Sequence, residues 1–298
     1  MIPGPFEYHA PTSLDEAIGL LGQYGDDAKV LAGGQSLIPA MKLRLAQPGH
    51  LIDISRMPDL AGLTNSFEGL RIGALTRETA LETSADVRER YAMLHDAAGV
   101  IADPLVRNLA TVGGNIAHAD PANDHPAVML AYRAEVEAQG PNGSRTIPID
   151  DFFLGAFETA LAPDEILTAI RIPAPPAQSG GAYVKFERKV GDYAIAAAAV
   201  QLALDADGTI ASAGLALTNA GYTPIRSSRA EEALVGQAAS DEAFKRAADL
   251  AAEDADPTGD LRGDADYKRA MARTMTLRAL RIAAQRAGGQ AGLNGVNG

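Results

Sequence analysis

Residues 111–115 read Thr111-Val112-Gly113-Gly114-Asn115, and the chain is organised around this stretch and a second one of the same type. Adjacent glycines let the backbone adopt conformations closed to other residues and leave no side chain to keep a ligand away. The second stretch, Ala32-Gly33-Gly34-Gln35-Ser36, follows the apolar pair Val30-Leu31. A turn of this kind can direct several N–H groups at one anion. Two such turns predict a clamp around a diphosphate, with tight turns that bind no ligand as the alternative.

Other nucleotide-binding motifs are absent from the sequence. No two glycines are separated by a single residue, which excludes the G-x-G-x-x-G fingerprint. Gly-Lys-Ser and Gly-Lys-Thr do not occur, which excludes a P-loop. Ser36 lacks the G-x-S-x-G surroundings of a hydrolase nucleophile. A dinucleotide bound by this chain therefore needs another cradle.

The composition narrows the classes of function. None of the 298 residues is cysteine, which excludes disulfides, thiol nucleophiles and thiolate-bound iron–sulfur clusters in this chain. A formal net charge of −12 argues against general nucleic-acid binding. No apolar run is long enough to cross a bilayer, and the N-terminus lacks a signal-peptide pattern. We therefore expect a cytoplasmic protein that is not integral to a membrane.

Helix and strand signals mix along the chain. A capping box at residues 13–16 predicts a helix through Leu21 that ends at Gly22 and Gly25. Further strands are predicted at 29–31, 51–54 and 70–72, and helices at 76–82, 93–102 and 127–132. After a Pro- and Gly-rich linker at 173–181 come strands at 182–187, 195–204 and 210–217, then helices at 227–235, 241–253 and 264–287. Three strands followed by three helices is an α+β pattern.

The last predicted helix is basic. Between Tyr267 and Ala287 it has no acidic residue. A solvated face that offsets the acidic remainder of the chain is the favoured interpretation, because charge runs are usually solvated. A docking surface for an acidic partner subunit is the alternative. Its charged residues are Lys268, Arg269, Arg273, Arg278, Arg281 and Arg286.

The two glycine stretches carry a resemblance to a known family. Residues 32–36 and 111–115 resemble the FAD-pyrophosphate loops of the flavoprotein subunits of molybdenum hydroxylases, and the likeness extends from Ile2-Pro3-Gly4 to the basic helix. The resemblance implies an α+β chain with a two-subdomain FAD-binding fold of the molybdopterin dehydrogenase flavoprotein type. A C-terminal domain with a three-stranded antiparallel sheet and a helical bundle would follow. The implied domains are residues 1–176 and 177–287, with a flexible tail at 288–298.

The resemblance also implies the cofactor contacts. FAD would be bound without a covalent link, by both glycine stretches and by single residues matched through their spacing. Asp124 could instead be a helix N-cap, and Lys185 a lysine that faces water. Tyr193 resembles a tyrosine that lies against the flavin ring in carbon monoxide dehydrogenases, with a half-buried strand aromatic as the alternative. The expected contacts are Val30, Leu31, Ala32, Gly33, Gly34, Gln35, Ser36, Leu37, Ile101, Thr111, Val112, Gly113, Gly114, Asn115, Asp124, Leu161, Lys185 and Tyr193.

The implied function is that of an oxidoreductase subunit without catalytic side chains of its own, because the cofactor carries the chemistry. It would take electrons from [2Fe-2S] clusters on a small partner subunit and pass them to a quinone-linked or NAD acceptor. A large partner would carry the molybdenum cofactor, the assembly would be a dimer of heterotrimers, and attachment to the inner membrane through the complex is left open. Within the family, the carbon monoxide dehydrogenase medium subunits look nearest, although Gln35 stands where histidine is usual and residues 116–118 also differ.

Alternatives to this function remain open. The same role in a nicotine-, xanthine- or quinoline-type dehydrogenase fits the same loops. A flavin oxidase acting alone would need a base or a substrate pocket beside the flavin, and the sequence offers neither. A non-catalytic nucleotide- or anion-binding module is the alternative from another class. His118 and His125, with Asp120 and Asp124 between them, do not have the spacing of a known zinc site, so no metal site is expected.

Overall fold

The structure is a computed structural model of the chain and describes residues 2–288. The tail predicted for residues 288–298 therefore lies, beyond Gly288, outside the described residues. Within the described part, no helix combines the length and apolar character needed to cross a bilayer.

The N-terminal region is a small parallel sheet with a helix after each of its first two strands. Strands β1 (Glu7–His9), β2 (Ala28–Leu31) and β3 (His50–Asp53) pair in the order β1-β3-β2. Helices α1 (Leu14–Tyr24) and α2 (Leu37–Lys42) connect them. The predicted capping box is confirmed, since the Ser13 hydroxyl accepts from the Glu16 N–H at 3.2 Å. The predicted helix end is wrong at Gly22, which α1 includes, and confirmed at Gly25, which caps the helix with a φ of 54°.

A second sheet has five antiparallel strands, and the helices of this region lie between β5 and β6 in the chain. The order is β4 (Leu63–Asn65), β5 (Gly69–Gly73), β10 (Ile166–Pro173), β6 (Glu135–Gly140) and β7 (Gly143–Pro148). Two short strands, β8 (Phe153–Gly155) and β9 (Glu158–Thr159), form a separate hairpin. The helices are α3 (Glu78–Thr83), α4 (Ala85–Arg90), α5 (Ala92–Val100), α6 (Pro104–Arg107), α7 (Val112–His118) and α8 (Asp124–Tyr132).

The C-terminal region is an antiparallel sheet covered by helices. Strands β11 (Ser179–Glu187), β12 (Ala194–Leu204), β13 (Ile210–Thr218) and β14 (Ile225–Arg226) pair in that order. Helices α9 (Ser228–Leu234), α10 (Asp241–Asp254) and α11 (Ala265–Arg286) follow. The three predicted strands are confirmed, but the sheet has a fourth, β14. Two residues after a loop give no periodic signal, so the sequence could not have predicted it.

The C-terminal sheet is buried on both faces. Tyr183, Ala197 and Ala199 belong to the core that β5, α5 and α8 also line. Their strand neighbours Ala196 and Ala198 belong to a second core with α10 and α11. A strand covered on both faces needs apolar residues throughout rather than alternately, which explains the run of alanines in β12. The sheet therefore joins the two halves of the chain.

Two predicted boundaries are wrong for local reasons. The predicted linker is shorter, at residues 174–178, because Ser179 and Gly180 already pair with Ala203 and Leu202 in the sheet. The domain boundary expected after residue 176 falls in this connection and stays a prediction. Helix α8 begins at Asp124 rather than after Pro126, because proline is tolerated in the first turn of a helix.

Most positive charges of the basic helix α11 are paired with carboxylates of the same chain. Five of its six cations contact carboxylates, and Lys268, predicted to be solvated, is buried. A second protein is therefore not needed to compensate these charges, which weakens the docking alternative. The pairs are Lys268 with Asp260 at 2.9 Å, Arg269 with Asp266 at 2.8 Å, Arg273 with Asp249, Arg281 with Asp241 at 2.7 Å, and Arg286 with Asp96 at 2.5 Å.

One carboxylate holds three strands of the second sheet together. Arg71 on β5 and Arg171 on β10 lie directly opposite each other, and both donate to Glu137 on β6. Like charges in opposite positions are destabilising, so Glu137 removes a repulsion as well as forming two ion pairs. Partial burial raises the pKa of Glu137, but the hydrogen bonds from Arg71 and Arg171 outweigh it and hold the pKa below its ordinary value.

We expect Glu137→Gln to lower the free energy of unfolding by about 1 kcal/mol near neutral pH, a modest amount because both arginines are partly exposed. A pKa that is lower in the folded state stabilises the fold above the ordinary value of 4.5 and loses that effect as the pH falls through the folded value. The deficit should therefore shrink in acid. Urea titrations of both proteins across this pH range measure it, and a deficit that is constant with pH would contradict the assignment.

Candidate cofactor site

The two glycine stretches predicted to form a clamp do meet. A side chain on Gly33 would overlap the carbonyl oxygen of Leu109 and lie 2.9 Å from the Cα of Ala110. A side chain on Gly114 would lie 3.9 Å from the Cβ of Ala32. Residues some eighty positions apart thus form one surface, and Gly33 is required there because backbone occupies the space of a Cβ.

The first stretch is a turn with free donors. It leaves β2 at Leu31 and enters α2, and Gly34 within it has a φ of 75°, which favours glycine. The backbone N–H groups of residues 33–37 donate to no acceptor among the described residues. The side chain of Gln35 folds back and donates to the carbonyl of Gly33 at 3.1 Å. This turn therefore offers the row of N–H groups that an anion requires.

The second stretch is the capped start of helix α7, and the prediction of a second turn with free donors is wrong. Thr111 is the N-cap, and its hydroxyl accepts from the Gly114 N–H at 3.2 Å. The N–H groups of Val112 and Gly113 donate to the carbonyls of Thr76 and Ala74, both at 2.9 Å. Gly113 is needed for space, since a Cβ there would lie 2.6 Å from the Cβ of Ala74. This stretch contributes a close-packed wall.

Asn115 follows this wall and has an unused polar atom. Its Oδ1 is buried and has no hydrogen-bond partner among the described residues. Its carbonyl accepts from the Nδ2 of Asn123 at 3.0 Å, which fixes the backbone. Buried polar atoms in folded proteins are nearly always hydrogen-bonded, so this oxygen fits a donor supplied by a ligand. Together with the free donors of the first turn, it makes the site chemically suited to a dinucleotide.

Asp124 and Lys185, both predicted as cofactor contacts, lie together but face each other. The Lys185 ammonium donates to Asp124 at 3.0 Å, and the Tyr183 hydroxyl donates to the other carboxylate oxygen at 2.6 Å. Only 8% of the Asp124 side chain and 3% of the Lys185 side chain are exposed. Burial raises the pKa of Asp124, although Lys185 and Tyr183 act in the opposite direction. The solvent-facing alternative for Lys185 is therefore wrong.

Ile101 and Tyr193 lie on two segments that touch. Ile101 is buried at the end of α5, and Ala102 follows it in the chain. A side chain on Gly191 would lie 2.6 Å from the carbonyl oxygen of Ala102. Tyr193 is 45% exposed, with the Arg262 guanidinium 5.9 Å from its ring centre. The pKa of Tyr193 is raised, mainly by partial burial and also by the negative charge of nearby carboxylates. An exposed ring with one covered face can pack against a planar ligand.

Leu161 follows β9 and packs, partly buried, against the core that lies under the second sheet. Val112 of the second glycine stretch belongs to the same core.

The two histidines considered for a metal site have separate partners. His125 Nε2 lies 2.6 Å from Glu78, and both side chains are fully buried. Burial lowers the pKa of His125, but Glu78 outweighs it and raises the pKa above its ordinary value. His118 packs instead on the ring of Phe157, with centroids 5.1 Å apart.

Sequence reasoning missed Tyr183 and Glu78. Tyr183 fixes the orientation of Asp124. Glu78 is hydrogen-bonded to His125, the residue that follows Asp124 in the chain. Tyr183 lies two positions before Lys185, on the same face of β11, and this spacing was the available signal. Glu78 gave none, because an acidic residue in the first turn of a helix usually interacts with the helix end.

Comparisons with known proteins agree over both halves of the chain. Residues 4–175 match the family described as the FAD binding domain in molybdopterin dehydrogenase. Residues 181–283 match the CO dehydrogenase flavoprotein C-terminal domain. The chain is 50% identical to the carbon monoxide dehydrogenase medium chain of Hydrogenophaga pseudoflava, over 95% of this chain and 98% of that protein.

Two further comparisons bear on structure and on substrate. A carbon monoxide dehydrogenase structure from Hydrogenophaga pseudoflava, which lacks the Mo-pyranopterin moiety of the molybdenum cofactor, superposes with a TM-score of 0.94 at 52% identity, covering 96% of this chain and 99% of that one. The 6-hydroxypseudooxynicotine dehydrogenase complex subunit alpha of Paenarthrobacter nicotinovorans is 39% identical over 96% of this chain and 97% of that protein. The high-scoring similarities therefore extend to enzymes that act on different substrates.

Proposed function

Because the chain belongs to the family of FAD-binding subunits of molybdenum-containing dehydrogenases, we propose that it collects electrons on FAD in an aerobic carbon monoxide dehydrogenase. The observation that carries the proposal is the turn at residues 33–37, whose N–H groups donate to no acceptor among the described residues and which packs beside the stretch at residues 111–115. The likeness of both domains to one medium chain supports the choice of enzyme.

The two glycine stretches would hold the FAD pyrophosphate between them. Backbone donors of the first turn would hydrogen-bond to it, and the capped start of α7 at the second stretch would form the opposite wall. Asn115 would use its buried oxygen as an acceptor, and Ile101 and Leu161 would contribute apolar contact. The contacts predicted from the sequence, Val30 to Leu37, Thr111 to Asn115, Ile101, Asp124, Leu161, Lys185 and Tyr193, stay proposals.

This chain would position and insulate the cofactor. FAD, when bound, supplies the ability to accept and release electrons. Lys185 and Asp124 would act as a rigid support, because Lys185 is held between the carboxylates of Asp124 and Glu187. Tyr193 would cover one side of the flavin ring and restrict which acceptors reach it, with Arg262 holding the tyrosine in place.

The electrons would arrive from other chains. Because no residue of this sequence is cysteine, thiolate-bound [2Fe-2S] clusters would be held by a small partner subunit. The molybdenum cofactor would be held by a large one. We propose a dimer of these heterotrimers in the cytoplasm, with a quinone-linked or NAD acceptor. Within this chain, residues 1–176 would form the FAD-binding domain and residues 177–287 the C-terminal domain.

An N-heterocycle dehydrogenase is the second candidate, because the similarity to the 6-hydroxypseudooxynicotine dehydrogenase complex subunit alpha covers 96% of this chain. A complex co-purified from cells that express the neighbouring genes separates the two. We expect a large, a medium and a Cys-rich small chain, FAD released by acid, and dye reduction with carbon monoxide. Dye reduction with an N-heterocycle but not with carbon monoxide would favour the second candidate. A colourless complex that FAD does not reconstitute would contradict the role of this chain.

A further inference from the structure

A cluster of nitrogen and oxygen ligands lies on the N-terminal sheet, on elements other than those of the glycine stretches. Glu7 and His9 are two residues apart on β1 and therefore share one face of the strand. The parallel register places Glu7 beside His50 on β3. One ligand atom from each of these three side chains lies within 4.8 Å of the others.

The distances suit a single small cation. His9 Nε2 and His50 Nδ1 are 3.1 Å apart, and His50 Nδ1 is 3.7 Å from a carboxylate oxygen of Glu7. Ligands about 2.0–2.1 Å from a tetrahedral zinc ion are separated by about 3.3 Å. The two observed distances lie on either side of this value and the third separation is within 4.8 Å, so the three atoms are spaced closely enough to share one ion.

A second layer of contacts supports the ring of His50. Its other nitrogen, Nε2, faces a carboxylate oxygen of Asp27 at 3.9 Å, and the second oxygen of Asp27 accepts from the Gly49 N–H at 2.9 Å. The Tyr24 ring stacks on His50 with centroids 3.6 Å apart and planes 12° apart. A carboxylate behind a metal-binding histidine fixes the ring and strengthens it as a ligand.

We propose that Glu7, His9 and His50 bind one divalent transition-metal ion of the zinc class, with a fourth position open to water. The donor set of two imidazoles and one carboxylate suits this class rather than calcium or magnesium, which prefer oxygen ligands. Bound metal would tie the three-residue edge strand β1 to β3 and so stabilise the N-terminus. None of the three residues is among the proposed flavin contacts, so we expect metal binding to leave the flavin content unchanged.

Titration of the FAD-loaded protein with zinc chloride in a calorimeter tests the proposal. We expect about one zinc ion per chain, and a melting temperature that rises with zinc because the ion binds only the folded protein. His9→Gln and Glu7→Gln should each weaken uptake by about tenfold or more, with flavin content unchanged. His95→Gln removes a histidine outside the cluster and should bind as the parent does.

The nature of the coordination is measured by replacing zinc with cobalt(II). Intense visible absorption bands, lost in His9→Gln, would support tetrahedral coordination by the cluster. Absence of saturable uptake in the parent would overturn the proposal and leave His9 and His50 as a simple hydrogen-bonded pair. Uptake that persists unchanged in His9→Gln and in Glu7→Gln would overturn it as well, by placing the ion elsewhere.

Discussion

Gly33→Val should yield a folded protein with almost no bound FAD. The valine Cβ would occupy the space of the Leu109 carbonyl and lie 2.9 Å from the Cα of Ala110. It therefore forces the first turn away from the segment that leads into the second stretch. Overpacking of this kind costs about 1–3 kcal/mol, and the same displacement separates the two sides of the clamp. We expect the affinity for FAD to fall by about a hundredfold.

Flavin absorbance per chain and FAD titration by fluorescence quenching measure this effect. Gly19→Val is the matched control, because nothing lies within 4 Å of a side chain at that position. Asn115→Leu provides a second, gentler variant. Removing a buried oxygen without a partner should leave the stability of the FAD-free protein unchanged or higher, yet weaken FAD by about tenfold. Parental flavin content in both Gly33→Val and Asn115→Leu would contradict the proposed site.

Lys185→Met should cost about 3 kcal/mol in free energy of unfolding. Methionine fills a similar volume but leaves the Asp124 carboxylate buried with only the Tyr183 hydroxyl as partner. Removing one member of a buried ion pair is strongly destabilising for this reason. Burial already raises the pKa of Asp124 in the parent, where Lys185 acts against it. Without the lysine, the pKa should rise further.

The deficit of Lys185→Met should depend on pH in a defined direction. A carboxyl group whose pKa is higher in the folded state binds its proton more tightly there, so stability is lost as the pH rises through that folded pKa. The variant should therefore approach the parent in acid and differ most at alkaline pH. Adding Asp124→Asn should recover much of the loss at high pH. Urea titrations at several pH values measure this, and a double variant no better than Lys185→Met would contradict the pairing.

The sequence predicted the strands and helices better than it predicted which polar groups of the site pair with each other. The strands and helices of the C-terminal half follow from long periodic segments, and all six appear within a few residues of the expected bounds. Strand β14 was missed because two residues give no period. Helix α7 was missed because Gly113 and Gly114 lower helix propensity. In the structure, the Thr111 cap and packing against Ala74 outweigh that cost.

The candidate site was predicted only in part, because sequence spacing does not show which polar groups satisfy each other. The free donors expected of the first turn are present, whereas those of the second are consumed by Thr76 and Ala74. Asp124 and Lys185 were expected to meet a ligand, and nothing in their separation of sixty-one residues indicated an ion pair between them. The resemblance to a family indicated Asp124 and Lys185 as site residues. Only the hydrogen bonds in the structure showed that they pair with each other.

The buried link from Asp124 to Tyr183 and Lys185 limits how this polypeptide can be divided. Residues 174–178 are the most loop-like connection between the halves and would look like a natural place to split the gene. A split there would leave Asp124 on one fragment and Lys185 on the other, so the buried Asp124 carboxylate would lack its cation until the fragments met. Desolvated charge of this kind is costly, so we expect fragments divided at this connection to fold poorly unless they are produced together.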